Sequence, residues 1–350
     1  MRAILSCVLV MACSEYDIAA PEVPDVLIAE PEVPPVPEDV PPDVELGSVT
    51  GQVCAPGTND WVAGAKAFIN HDLGTSVDLT DGDGRFLIKD VPEGHWTVEI
   101  LKGSFSASFT VNVKPGDTAE MAIEECIALE QGDTTIAVVT GEYDDIGTVL
   151  DYLDLNYDTY VGVGNGQEAI DLLRDPQALA TYDIIFFNCG MTFDWTTWQG
   201  EIGANLVEYV QGGGSVYASD WAYYLVEAAY PAEHDFVNDD ALLGDAFVGV
   251  AMEVTATVVD TAMADLLGST SATINFDLDA WVPMLGANGE VLLEADFDIY
   301  KGMFSTVGKH GPLATRLHDG EGTVLYTSFH NERQSTSDMA ALLQEIILSL

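Results

Sequence analysis

Basic residues are scarce in this chain of 350: 11 Lys and Arg stand against 58 Asp and Glu, a formal net charge of -47. A surface this negative repels phosphate backbones and anionic headgroups, which excludes nucleic acid as a partner. Cysteines number only five. No compact ligand spacing such as His-Glu-x-x-His occurs, so no metal and no cofactor is expected. What is abundant is apolar: 48% hydrophobic residues and a positive mean hydropathy point to packed cores, with the acids crowded onto surfaces and linkers. A chain of this length accommodates about two domains of roughly 150 residues each.

At the start, Arg2 is followed by a short apolar run ending in Val10-Met11-Ala12-Cys13. This resembles a bacterial lipoprotein signal. The resemblance implies cleavage before Cys13, acylation of Cys13, and an exported chain lipid-anchored to the cell envelope at the outer membrane. Residues 1–12 would then be the signal and 13–46 an acidic tether, whose recurring Pro-Glu-Val-Pro steps suit an extended spacer rather than a helix or central strand. The membrane would be reached through lipid, and a cell-surface glycan or an envelope protein is the expected partner. In an oxidising compartment Cys54 and Cys126, which bracket one candidate domain, can close a disulfide, leaving Cys189 as the odd thiol.

From Gly47 to about residue 127, short runs alternate apolar and polar residues between turns: Ser48–Val53, Ala65–Ile69, Arg85–Ile88, Trp96–Ile100 and Ser108–Val113. A period of two predicts a small antiparallel β-sandwich. Its order of Val-Thr-Gly-Gln-Val, Val-Ala-Gly-Ala, Thr-Asp-Gly-Asp-Gly-Arg-Phe and Val-Pro-Glu-Gly resembles the carboxypeptidase regulatory-like family. That resemblance implies a transthyretin-like or carbohydrate-binding-like fold serving as spacer or adhesion module. Asp81-Gly-Asp83-Gly reads as the turn between two strands, since no Glu follows at the twelfth position of a calcium loop. Trp61 and Trp96 are candidates for stacking on sugar rings, or for packing at the edge of the core.

Over 134–350 apolar runs alternate with amphipathic, helix-length segments. Ile136–Thr140, Tyr157–Val161, Tyr182–Asn188 and Gly212–Ser219 read as strands or turn-and-strand; Ile146–Leu153, capped by Asp144 or Asp145, Gln167–Leu173 and Ile202–Val210 read as helices. This grammar predicts a parallel sheet covered on both faces. Residues 229–293 fit it less well, and add strands such as Met252–Val258. The succession Tyr-Asp-Ile-Ile-Phe-Phe-Asn-Cys-Gly, Tyr-Val-Gln-Gly-Gly-Gly-Ser-Val and Gly-Thr-Val-Leu-Tyr-Thr-Ser-Phe-His resembles the class I glutamine amidotransferase-like superfamily, and its ThuA-like members in particular. The expected whole is multidomain: a small antiparallel β-sandwich over 47–127, then a flavodoxin-like α/β domain with a parallel sheet over 134–350.

In that superfamily a histidine and a carboxylate leave the last strand, matched here by His330 and Glu332, and the nucleophile sits on a tight turn matched by Ala218-Ser219-Asp220-Trp221-Ala222. No cysteine stands in that turn. The domain is therefore expected to bind rather than catalyse. The alternative is a hydrolase or amidase with Ser219 or Cys189 as nucleophile, His330 as base and Glu332 orienting the imidazole. A third reading is carbohydrate adhesion through the sandwich. Ligands of open parallel sheets collect outside the carboxyl ends of the strands, where Glu142, Asp144, Asp145, Cys189, Asp220 and His330 are expected to form a polar pocket.

Overall fold

Alternation along the first strands builds the sandwich. In the computed structural model, which describes residues 45–120, 126–237, 248–301, 305–330 and 336–350, the chain opens with β1 (Leu46–Cys54), β2 (Lys66–His71), β3 (Gly74–Leu79), β4 (Arg85–Pro92), β5 (Gly94–Lys102), β6 (Phe105–Val113), β7 (Thr118–Glu120) and β8 (Ile127–Ala128). The expected signal, Cys13 and all but the last two residues of the expected tether, like Glu332, lie outside the described residues; Leu46, expected to end the tether, instead opens β1. One sheet has the order β4-β1-β7, with β8 also on β1; the other has the order β3-β2-β5-β6. Every second residue turns inward, so Val49 and Ile88 from one sheet share a buried cluster with Ala67, Ile69, Val98 and Ile100 from the other. Asp81 makes the expected turn: its Oδ1 accepts from the backbone N–H of Asp83 at 3.0 Å and of Arg85 at 2.9 Å. Cys54 and Cys126 form a disulfide.

The second part runs β9 (Ile136–Val139), α1 (Gly147–Tyr152), β10 (Asp158–Tyr160), α2 (Gln167–Arg174), α3 (Pro176–Leu179), β11 (Ile184–Phe187), α4 (Gln199–Gln211), β12 (Ser215–Ser219) and α5 (Tyr223–Ala229). It continues with β13 (His234–Phe236), β14 (Met252–Val258), α6 (Thr261–Leu267), β15 (Ser271–Phe276), β16 (Met284–Ala287), β17 (Glu290–Tyr300), β18 (Thr306–Asp319), β19 (Gly322–Thr327) and α7 (Ser337–Leu348). Nine strands form one sheet in the order β10-β9-β11-β12-β19-β18-β17-β14-β15. The first five are mutually parallel. The last four add on antiparallel.

The apolar runs are buried on both faces, as parallel strands require. Ile184 and Phe186 turn to the face covered by α1 and α7, whereas Ile185 and Phe187 turn to the face covered by α2, α4 and α5. The first cluster continues without a break into the sandwich core. There α7 meets the β5–β6 hairpin: the Ser104 N–H donates to the Leu350 carbonyl at 2.8 Å, and Lys102 Nζ pairs with Glu345 Oε1. Val44–Leu350 accordingly forms one compact unit.

Two details depart from the sequence reading. The N-cap residue of α1 is Ile146, and no side chain caps the helix there; Asp144 instead accepts from Ser219. The expected strand Met252–Val258 is present as β14, but with β15 and β17 it continues the expected parallel sheet in antiparallel pairing, while β13 and β16 pair apart from it.

Candidate functional site

Three neighbouring parallel strands deliver the site. β11, β12 and β19 end side by side, with Phe187 opposite Ala218 and Ser219 opposite Thr327. Just past those ends stand Cys189, Asp220 and His330, all buried, and one ligand atom from each lies within 4.8 Å of the others. The Cys189 S–H donates to Asp220 Oδ2 at 3.4 Å, and His330 Nε2 lies 3.8 Å from the same oxygen. The other carboxylate oxygen, Oδ1, accepts the Val282 N–H at 2.7 Å.

Asp220 owes its place to its backbone. Its φ is +45°, the left-handed region that side chains other than Gly, Asn and Asp rarely occupy. This sharp turn between strand and helix is the one on which the expected nucleophile would stand. The turn is held from behind, since the Tyr326 hydroxyl donates to the Asp220 carbonyl at 3.0 Å. A second left-handed residue, Gly190 at φ +87°, lets the loop after β9 lie against β11. A Cβ there would sit 2.8 Å from the Glu142 backbone nitrogen, so glycine is required.

Burial sets the charges. The Cys189 thiol is pushed far above its usual range, first by desolvation and then by the Asp220 carboxylate, although a backbone hydrogen bond from Trp221 opposes the shift. The Asp220 carboxyl is itself pushed up to about 6 by burial, against the pull of His330, the Val282 N–H and the thiol. Around these groups lies a cleft of about 480 Å³, lined also by Tyr143, Trp221, Asp279 and Trp281.

Ser219, proposed from sequence as a nucleophile, does not line that cleft. Its side chain is fully buried, accepts the Cys189 N–H at 3.0 Å and donates to Asp144 Oδ2 at 2.6 Å. Ser219 and Asp144 therefore brace the strand ends from beneath. Glu142 and Asp145, also expected in the pocket, are exposed and outside the cleft lining. The chain turns outward after β9, with the Glu142 and Tyr143 N–H groups donating to the carbonyls of Gly190 and Cys189. Asp279, which was not among the expected pocket residues, also lines the cleft and accepts from the Ala251 N–H at 2.8 Å and the Tyr300 hydroxyl at 2.9 Å. No local pattern marks Asp279; its position depends on the return of β17. In the sandwich, Trp96 is committed to packing, its Nε1–H donating to the Pro92 carbonyl at 2.7 Å, whereas Trp61 is exposed.

No protein-family model matches this chain, and no curated protein matches it. Among solved structures, it is similar to the cytoplasmic protein STM1381 from Salmonella typhimurium, at 11% identity over 61% of this chain and 98% of that one, with a TM-score of 0.37. PurLQS from Thermotoga maritima is similar at 10% identity over 61% and 98%, also with a TM-score of 0.37. A cohesin–X-dockerin complex from Acetivibrio cellulolyticus overlaps 25% of this chain and 59% of its own at 26% identity, with a TM-score of 0.21. Scores this low mark partial overlaps, and the strand order itself carries the architecture.

Proposed function

We propose that this is an exported, lipid-anchored envelope protein whose α/β half is a class I glutamine amidotransferase-like domain that binds rather than catalyses. Support for the compartment comes from the Cys54–Cys126 disulfide, of a kind that persists in oxidising surroundings, together with the lipobox-like Val10–Cys13. The parallel order β10-β9-β11-β12-β19 supports the superfamily assignment. One observation supports binding over catalysis: the left-handed turn after β12 presents the carboxylate of Asp220, which accepts from the Cys189 thiol, while burial and then that carboxylate push the thiol pKa up. A nucleophilic thiol needs the opposite environment, an adjoining cation or helix N-terminus that favours the thiolate.

A thiol hydrolase is the second reading, favoured by the approach of Cys189 Sγ to within 4.8 Å of a His330 ring nitrogen. Turnover decides between them. The purified chain should release ammonia from glutamine and hydrolyse activated esters no faster than its Cys189→Ala and His330→Ala variants. Turnover that both substitutions abolish would overturn the binding reading.

A further inference from the structure

Thiol, carboxylate and imidazole converge here from three separate strand ends, and all three groups line one cleft. Among the described residues no Lys or Arg lines that cleft, while Asp279 adds a second carboxylate to it. The three donors approach the spacing of a coordination sphere, all within 4.8 Å of one another. Tetrahedral bonds of about 2.0–2.3 Å to N, O and S ligands imply ligand-to-ligand edges of about 3.3–3.5 Å. The observed edges from Asp220 Oδ2 are 3.4 Å to Cys189 Sγ and 3.8 Å to His330 Nε2. The supporting contacts are also those of a ligand set: Val282 N–H fixes the non-bridging carboxylate oxygen, Ser219 Oγ fixes the Cys189 backbone, and the Trp221 N–H reaches the sulfur.

We propose that Cys189 Sγ, Asp220 Oδ2 and His330 Nε2 hold one divalent transition-metal ion of the zinc class, with the fourth coordination position open to the cleft. Sulfur and imidazole donors select such an ion over magnesium or calcium, which take oxygen ligands. On binding, the thiol proton passes to solvent and the ion takes its place between sulfur and carboxylate. Asp220 then contributes a ligand where the expected superfamily pattern has a nucleophile. The spacing of residues along the chain hides such a site, because each ligand comes from a different strand. The proposal rests on the binding reading, in that Cys189 serves as a ligand and not as a nucleophile.

Cobalt(II) reports directly on the sulfur. The purified full chain, stripped with a chelator and titrated with Co²⁺ in moderate salt, should take up one equivalent with a near-ultraviolet thiolate-to-cobalt charge-transfer band. One equivalent of Zn²⁺ should displace it. Cys189→Ser should abolish the band, and Asp220→Asn and His330→Ala should weaken binding by at least about tenfold, within the range seen when metal sites are trimmed. Thermal melts establish that each variant folds. If Cys189→Ser fails to fold, the wild type carries the test, because Zn²⁺ should then slow alkylation of Cys189. Cobalt held without the band is cobalt on surface carboxylates and would overturn the site, as would unchanged alkylation in zinc. Either result with no Cys189-dependent turnover removes the metal and leaves the binding reading standing; Cys189-dependent turnover in chelator removes both.

Discussion

Lys102→Met is expected to destabilise the protein by about 3–5 kcal/mol, the range for breaking a buried ion pair from one side. Lys102 lies at the end of β5 and Glu345 in the last turns of α7; both are buried, and Lys102 Nζ also donates to the Ala63 carbonyl at 2.9 Å. Burial pushes the Glu345 carboxyl up, and Lys102 is the strongest influence holding it down. Removing the ammonium leaves that carboxylate to desolvation and to the nearby Asp260, with Arg316 as a weaker compensating charge. The carboxyl can take up a proton, so the penalty should shrink as pH falls. Combining Lys102→Met with Glu345→Leu should recover most of the loss, because an apolar pair leaves no charge stranded. Urea unfolding of the four proteins of this double-mutant cycle measures the coupling; a loss below about 1 kcal/mol for Lys102→Met would place the pair with weak surface bridges instead.

Acid should uncover a second buried group. His234 in β13 is enclosed against Phe236, with ring centroids 5.8 Å apart, and its Nε2 lies 3.1 Å from Thr315 Oγ1. Burial pushes its pKa down to about 4 from an ordinary 6.5. The unfolded chain therefore binds a proton below about pH 6.5 that the folded chain refuses until about pH 4, and stability is lost as pH falls through that window. The gap of about 2.5 units corresponds to about 3 kcal/mol. Stability measured from pH 7 to pH 4 for the wild type and for His234→Gln should give curves that converge by that amount. The difference between the two proteins isolates His234 from the relief of acidic self-repulsion common to both. Parallel curves would show that His234 already titrates normally in the fold.

Strands were the most legible elements, because their pattern is local. The run Ile184-Ile-Phe-Phe187 is apolar at every position, as a strand covered on both faces must be, and both of its faces are indeed buried. The turn at Asp81 follows from residue chemistry in the same local way, whereas the pairing of Cys54 with Cys126, 72 residues apart, was readable only from the expected compartment and from the cysteines that bracket one domain. Long-range pairing was not legible: β14 joins both β15 and β17, so residues 252–300 acquire their place only when distant strands register. Within the site, Cys189, Asp220 and His330 were all readable as strand-end residues expected in one polar pocket, and the neighbouring strands β11, β12 and β19 do bring them together. Nothing in the letters Ser-Asp-Trp reveals that Asp220 is left-handed and carries its carboxylate to the thiol, or that Ser219 turns to Asp144. Glu142 and Asp145 failed for a related reason, since adjacent acids in a loop do not disclose which of them faces inward.

The protonation state of Cys189 separates a carboxylate-held thiol from a nucleophile most directly. Ultraviolet thiolate absorbance of the chelator-treated chain, taken as a difference against Cys189→Ala, follows it across pH. A thiol that donates to Asp220 and is pushed up by burial should give no signal at neutral pH or through the ordinary cysteine range near about 8.5, and Asp220→Asn should bring the signal to lower pH. A thiolate signal at pH 7 in the wild type, lost in His330→Ala, would instead establish a cysteine–histidine pair ready for catalysis.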